Sequence, residues 1–552
     1  MPAPLNQKTK VMSYSHSDGE TIRLIGRSSR LSLLQIDIVK QKIETAFPGL
    51  KVEVIARSSR GDALQEIPLH TVEGTDFFTQ DIFDALTNGE ADIAVHSLKD
   101  MSSGHFFGAN KFAVVDRNDT RDAVIFNNDI EKKIRSGETL IIGTCSPRRE
   151  EMATVFLKKA LPQLKGEIKI ETKPIRGNVE TRLKKLNSGE YDATILATAG
   201  LNRLLAAPSA VENSDGGLIS ELLKNKKLML LPLVECVPAP CQGAIVAEAH
   251  HANEKAIEVL KKINDEQLFP DCYNEKKEAV KYGTGCIQKF GVTTLHTKNE
   301  NYVYAAGKDA EGTEFIKWAP LPDFKINDGS LFSSTDWMKD FFEDVPITIG
   351  RSNEERKINE PVMFVANYKA VSKSSIELLK LNGASQQKLN QGINAGEQKI
   401  ILASGTRTWF ELAKQGYWVT ASSDAMGFEF LLRSLKMPLL NIGANDICIL
   451  TNEESAQRWK QKGYKAVGNY KLKPTYNEAI KKNISTANYI FWSSYSQYEF
   501  YGKYAKQEVK HLCAGGETAV LLKQAGIEPV IFPTIKAFEQ WRKYSTRSLS
   551  AA

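Results

Sequence analysis

Over its first 320 positions the chain alternates short apolar runs with stretches whose apolar residues recur every three or four positions. Thr21–Gly26 reads as a strand, Leu31–Ala46 as an amphipathic helix broken by Pro48-Gly49, and Val52–Ala56 as the next strand. Between the first two lies a polar loop with Arg27. A helix over Thr79–Thr87 carries Ile82, Phe83 and Leu86 on one face and stops at Asn88-Gly89. Asp92–Val95 then reads as a buried strand that ends in a polar burst, His96, Ser97, Lys99 and Asp100. In open α/β sheets ligands sit outside the carboxyl ends of the strands. A Lys–Asp pair there suits chemistry that needs an acid, or an anion facing a developing cation. A solvated turn is the plain alternative for that pair taken alone.

The step from helix through Asn-Gly or Ser-Gly turn to strand repeats one hundred residues on, Leu86–Asp92 returning as Leu186–Asp192. Two lobes with a cleft between them are the expectation. In the second lobe, strands at Ile141–Thr144, Ile168–Glu171 and Asp192–Ala197 are each followed by arginine: Arg148 and Arg149, then Arg176 and Arg182, then Arg203. Asn178 is placed to cap the helix that carries Arg182. Arginines at strand ends and helix starts gather anions, and Arg27 is expected to face the same cleft. Leu228–Pro232 reads as a strand, and 238–244 as a crossing back to the first lobe. Helices at Ala256–Asn264 and about Asn274–Val280, a cysteine among glycines (Gly283-Thr284-Gly285-Cys286) and a β-rich tail to Trp318 make a smaller third domain. A loop cysteine of that kind is accessible, where a packed one is inert.

Composition narrows the class. At 552 residues the chain is too long for one core, and its 42% hydrophobic and 25% charged residues are those of a globular protein. A net charge of +6 over that length does not point to nucleic acid. Residues 1–20 are polar, without the apolar core of a signal peptide, and are expected to be a disordered leader. No apolar run reaches the ~20 residues that span a bilayer. The seven cysteines and eight histidines show neither CxxC nor HxxxH spacing, so no metal site is expected; the expectation is a cytoplasmic protein with free thiols.

These residues together resemble the porphobilinogen deaminase (hydroxymethylbilane synthase) family. The resemblance covers about Thr21 to Trp318 and is carried by Gly26-Arg27-Ser28-Ser29 through Gln35, Ala94–Asp100, Arg148-Arg149, Arg176-Gly177-Asn178 through Arg182, Ala199-Gly200-Leu201 through Arg203, Gln242-Gly243-Ala244 and Gly285-Cys286. It implies an enzyme of tetrapyrrole biosynthesis that joins four porphobilinogen units into a linear tetrapyrrole on a covalent dipyrromethane. It also implies Cys286 as the thioether anchor of that cofactor and Asp100, with Lys99, as catalytic. Arg27, Ser29, Lys99, Ser146, Arg148, Arg149, Arg176, Arg182 and Arg203 become its carboxylate-binding contacts. The implied fold is α/β, a two-lobed body like the periplasmic binding proteins with a small α+β third domain. Its first domain spans 21–116 and 228–248, its second 117–227 and its third 249–320. The sequence departs from the family pattern at Thr75 and Gln80, where lysines are usual, and at Ser102 and Lys289, where prolines are.

Beyond a linker expected at 321–345, residues 346–552 carry an echo of their own. Ile400–Ala403, Gly405, Thr408, Leu412 and Gly416 recur as His511–Ala514, Gly515, Thr518, Leu522 and Gly526, with strands Met363–Ala366 and Tyr489–Ser494 ahead of them. The pattern is similar to uroporphyrinogen-III synthase, another two-lobed α/β fold, with Thr518 in a matching GxxT loop and Tyr470 matching a tyrosine near its cleft. The opening β–α segment of that family is not recognisable between about Asp323 and Asn359. The resemblance implies cyclisation of the linear tetrapyrrole; an inactive scaffold is the alternative for this half. For the first half, the alternative is a two-lobed binding protein for a carboxylated ligand, against which stand Asp100, Cys286 and the lack of an export signal.

Overall fold

The computed structural model describes residues 20–57, 80–207, 216–283, 288–298, 300–324, 326, 330–347, 358–371 and 399–547. The expected leader up to residue 19, Thr75 and Cys286 therefore lie outside the described residues. The chain divides into two compact units, crossing from the first to the second after Asp116, back at Ala244/Ile245 and again into the second after Phe269, so that the third domain expected at 249–320 is divided between them.

In the first unit, strands Lys51–Arg57, Thr21–Arg27 and Ile93–Ser97 run parallel, and Ala244–Ala249 joins antiparallel to Ile93–Ser97, with Lys111–Arg117 beyond it. Parallel strands buried on both faces need continuous apolar runs. Ile22, Leu24, Ile93, Val95, Ile245 and Ala247 meet the helix Arg30–Ala46 on one side, while Ile25 and Ala94 meet Ile82 and Leu86 on the other.

The second unit repeats that plan. Ile170–Lys173, Leu140–Gly143 and Ala193–Ala197 run parallel, followed by Asp122–Phe126 and Lys227–Leu230, both antiparallel to their neighbours. The strand at 227–230, expected in the first domain, thus completes the second sheet, and the return crossing comes only at 244. Hydrophobic pattern marked the strand but not its partner. At the crossing, Gly243 adopts φ +85° and a Cβ there would lie 2.6 Å from the Asn118 carbonyl, so only glycine fits. The sheet 289–296, 301–308, 314–319 is antiparallel and follows the helix Leu268–Ala279.

The remainder of the second unit holds two more sheets. One is parallel, Leu331–Ser333, Tyr489–Trp492, Lys510–Ala514, Val530–Phe532. The other orders Phe342–Pro346, Lys465–Pro474, Ile447–Asn452, Val362–Val365, Ile400–Ala403 and Val419–Ser422, parallel except for its first pair. The sequence echo is this repeat, with strands 362–365, 400–403 and 419–422 answering 489–492, 510–514 and 530–532. Segment 321–345, expected as a linker, supplies an edge strand to each sheet. Strands of three to five residues at an edge carry too little alternation to be read from sequence. Gly516 adopts φ +98°, and a Cβ there would lie 2.4 Å from the Ala425 carbonyl oxygen, so only glycine lets the two sheets' loops approach this closely.

One apolar core runs through the whole second unit, from Phe126 and Phe156 through Tyr304 and Trp318 to Trp409, Phe491, Phe532 and Phe538. Trp409 stacks edge-on to Phe156 and Trp418 to Phe126, each at 5.1 Å between ring centroids. Their indole N–H groups donate to the carbonyls of Ala160 (3.0 Å) and Leu228 (3.2 Å). Such aromatics bury a large apolar body and a satisfied polar tip together. The C-terminal half is thus part of the same folding unit as residues 117–244.

Candidate functional site

In the first unit, the strand Thr21–Arg27 ends on Arg27, and Ser29 is the N-cap of the helix Arg30–Ala46 with its hydroxyl not spent on a capping bond. The neighbouring strand Ile93–Ser97 runs into a single 3-10 turn, Leu98–Asp100, which puts Lys99 half-buried and Asp100 exposed at the strand's carboxyl end. A cavity of about 90 Å³ opens there, lined by Arg27, Ser29, Gln35, His96, Ser97 and Asp100 among others. Gln35 and Ser97 bond each other across its wall at 2.8 Å. Three residues that sequence reasoning placed apart in the chain, Arg27, Ser29 and Asp100, therefore surround one cavity. Gln80, in place of an expected lysine, is exposed and bonds Asp84 within its helix. Ser102, in place of a proline, caps the short helix Ser103–Phe106 by accepting from the His105 N–H.

In the second unit, Pro147 occupies the first turn of the helix Pro147–Ala160, where its missing N–H costs nothing. Ser146 caps that helix, accepting from the Arg149 N–H. Arg148 and Arg149 do not reach outward as an anion-binding pair would. Their side chains are 6% and 10% exposed and converge on the buried Asp122 carboxylate, at 2.8 Å each. Arg148 also donates to the Val237 carbonyl and Arg149 to that of Ile195. Burial would raise the Asp122 carboxyl, but the guanidiniums of Arg149 and Arg148 outweigh it and hold it far below the usual carboxylate range. Spacing showed two arginines at a helix start; it did not show that a carboxylate of the neighbouring strand would meet them. Asn178 caps its helix as expected, accepting from the Thr181 N–H at 2.8 Å, and Arg182 Nε donates to the Gly177 carbonyl, with Arg176 half-buried beside it. Arg203 is buried and donates to the Gly243 carbonyl at 2.7 Å.

In the C-terminal half, Tyr470 is 4% exposed and belongs to the core, and burial pushes its hydroxyl well above the ordinary range. Thr408 and Thr518 lie inside the first turns of helices Thr406–Lys414 and Glu517–Gln524, whose N-caps are Gly405 and Gly516. The GxxT segments are helix starts, not loops.

Sequence reasoning passed over residues 111–126, and with them two buried ion pairs. Arg117 meets Glu275 at 2.8 Å. Arg121 meets Asp424 at 3.3 Å and the Ser434 hydroxyl at 2.6 Å, so it ties the second sheet to the C-terminal half. The spacing of Arg117, Arg121 and Asp122 on one short segment was the available signal. Burial raises the Asp424 carboxyl to about 6, although Arg121 pulls it down. With the folded value above the unfolded one, Asp424 favours the fold when protonated, and that contribution is lost as pH rises through about 6. Urea midpoints should therefore fall between pH 4 and pH 6.5 by the equivalent of on the order of 2 kcal/mol and level off above that. Asp424→Asn should flatten that slope, and an unchanged slope would show that the buried carboxyl does not titrate there.

Residues 22–258 match the family model described as porphobilinogen deaminase, dipyromethane cofactor binding domain. A probable porphobilinogen deaminase of Methanopyrus kandleri is 33% identical over 274 residues, which cover 50% of this chain and 82% of that one. Its counterpart in Methanocaldococcus jannaschii is 34% identical over 280 residues, 50% of this chain and 85% of that one. This chain belongs to the porphobilinogen deaminase family. The porphobilinogen deaminase of Prochlorococcus marinus, 30% identical over 300 residues, covers 54% of this chain and 87% of its own. The family places the chain in tetrapyrrole biosynthesis, with dipyrromethane as its cofactor.

The residues present fit that cofactor, a dipyrrole with ring N–H donors and carboxylates. In the first unit, Asp100 offers an acceptor for N–H groups, and Arg27 and Ser29 offer donors around the same cavity. In the second, Ser146 caps the helix Pro147–Ala160, Arg176 follows the strand Ile170–Lys173 and Arg182 lies near the start of the helix Val179–Asn187, whereas Arg203 lies in the last turn of the helix Thr198–Ala206, buried against the Gly243 carbonyl. No helix among the described residues is long and apolar enough to cross a membrane. The six described cysteines are free.

Proposed function

We propose that the chain is a cytoplasmic hydroxymethylbilane synthase that joins four porphobilinogens head to tail, with its dipyrromethane bound through a thioether to Cys286. The observation that carries the reading is the cavity at the end of the strand Ile93–Ser97, where a carboxylate, Asp100, stands with a guanidinium and a hydroxyl. The dipyrromethane supplies the primer from which the chain is extended. Each addition forms one C–C bond, breaks the C–N bond of an aminomethyl group and releases ammonia, the proton lost from the attacked ring carbon balancing the one that leaves with the amine. Asp100 accepts pyrrole N–H groups and offsets the positive charge that builds on the ring as the amine departs. Lys99 supplies a neighbouring cation. Arg27, Arg176, Arg182, Arg203 and the hydroxyls of Ser29 and Ser146 grip carboxylates. Arg148 and Arg149 act through Asp122, bracing the helix start that presents Ser146.

For the C-terminal half the proposal is cyclisation of the linear tetrapyrrole with inversion of its last ring, Thr518 and Tyr470 taking part. Two sheets that repeat one strand plan support it. A second reading, a scaffold without activity, is favoured by the burial of Tyr470 and by the core this half shares with residues 117–244. The full chain incubated with porphobilinogen, its product oxidised and the uroporphyrin isomers separated, tests both halves. Type III isomer is expected if both act. Type I alone removes the cyclase reading, and no porphyrin from protein whose mass includes the dipyrromethane removes the deaminase one.

A further inference from the structure

The turn that carries Asp100 is pinned on both flanks by one buried carboxylate. Glu248 lies on the strand Ala244–Ala249, where Val246 pairs with His96 and Glu248 with Ala94, so that Glu248 and His96 share a face of the sheet one step apart. Glu248 is wholly buried, and its Oε2 accepts from His96 Nε2 at 3.1 Å. Its other oxygen, Oε1, accepts from His105 Nε2 at 2.7 Å and from Asn110 Nδ2 at 2.6 Å. His96 precedes Asp100 in the chain, and His105 follows it. Between them run the turn Leu98–Asp100 and the helix Ser103–Phe106, the latter capped by Ser102. Phe83 and Phe112 stand edge-on to the His105 ring at 4.8 and 6.0 Å between centroids and pack against it.

Three donors converge on this buried carboxylate, and it is held at about 2: burial alone would raise it, but the bonds from His105 and His96 prevail. An ionised group with fixed donors on both oxygens is a rigid clamp. The groups facing it are His96 and Asn110 from the first unit's strand and loop, and His105 from the short helix. His96, Asp100 and Arg27 line the same cavity.

We propose that Glu248, acting through His96 and His105, is a positioning residue for Asp100: it holds both ends of the turn so that the carboxylate keeps its place over the cavity. The proposal rests on reading Asp100 as the catalytic carboxylate. A displacement of about an ångström at such a group costs up to about a hundredfold in rate, without weakening the grip of the remote carboxylates of the substrate. Turnover should fall, then, with KM nearly unchanged.

Four full-chain variants, compared at equal dipyrromethane content measured by intact mass, test this. His105→Leu removes the donor, while His105→Gln places an amide N–H near the position of Nε2. The expected result is a kcat lowered about tenfold or more for His105→Leu, a value within about threefold of the parent for His105→Gln, and KM unchanged in both. Glu248→Gln, which turns one acceptor into a donor against an imidazole, is expected to lower kcat about ten- to hundredfold. Asp100→Asn reports on the underlying reading. If it is slow while the folded His105→Leu protein keeps the parent kcat, the clamp is refuted and the reading of Asp100 stands. If Asp100→Asn turns over normally, the reading falls and the proposal with it. Equal losses in His105→Leu and His105→Gln would also overturn the clamp, because the bond would not be what matters. Should Glu248→Gln fail to fold, the two His105 variants decide the question.

Discussion

A chain ended after Pro320 is expected to lose the fold of residues 117–244 and 270–320, not merely an added activity. Truncation strips Trp409 from Phe156 and Trp418 from Phe126, contacts at 5.1 Å between ring centroids. It leaves the Ala160 and Leu228 carbonyls without their indole donors. It also uncovers Arg121, whose guanidinium lies against Asp424, Ser434 and the Phe430 ring. The main-chain bond from the Gln163 N–H to the Ala413 carbonyl at 2.8 Å, and that from the Leu439 N–H to Asn202 at 3.0 Å, go as well. Removing one buried Trp or Phe costs about 3–5 kcal/mol, and a domain's whole stability is about 5–15 kcal/mol. Two such losses, about 6–10 kcal/mol before the uncovered polar groups are counted, are as large as the whole stability of a typical domain. The measurement is urea unfolding followed by near-ultraviolet circular dichroism, with limited proteolysis. A truncated protein that unfolds in one steep transition and resists protease as the full chain does would refute the shared core as the source of stability.

Replacing Asp100 with Asn should lower kcat by about 10²–10³-fold at equal dipyrromethane content, the usual consequence of removing a fixed charge from the place where opposite charge develops. Asp100 sits at the carboxyl end of the strand Ile93–Ser97, in a turn of three residues, with Arg27 and Ser29 around the same cavity. The amide keeps the shape and one acceptor oxygen but carries no charge, so binding of carboxylates by arginine should be spared and KM should change little. Initial rates over a range of porphobilinogen concentrations separate the two. A variant with KM raised and kcat intact would make Asp100 a binding group, and the charge argument would fail.

Much of the first 320 residues was legible because each signal there is local. The helix Arg30–Ala46, the Asn178 cap and the turns at Asn88-Gly89 and Ser188-Gly189 follow from residues a few positions apart. The motif Ala94–Asp100 announced the end of a strand, and the strand ends there. Arg148 and Arg149 were legible as a pair at a helix start, yet their partner was not, because Asp122 comes from a strand that sequence distance hides. For the same reason Glu248 was passed over: nothing in Ala-Ile-Val-Ala-Glu-Ala says that its one charge will meet His96 and His105.

The sequence by itself determined the alternation of strands and helices, both internal repeats, the family and the candidate carboxylate, since these depend on periodicity, capping residues and motifs carried within short windows. Only the tertiary structure decided which strands pair, that 227–230 and 331–333 close sheets to which sequence did not assign them, and that the C-terminal half shares a core with residues 117–244. It also decided which charges neutralise each other inside the protein and which remain at the cavity. Pairing across a sheet and burial against a distant face are set by the packing of the whole chain, where the free energy of a buried charge depends on a partner distant in sequence, as Asp424 is from Arg121.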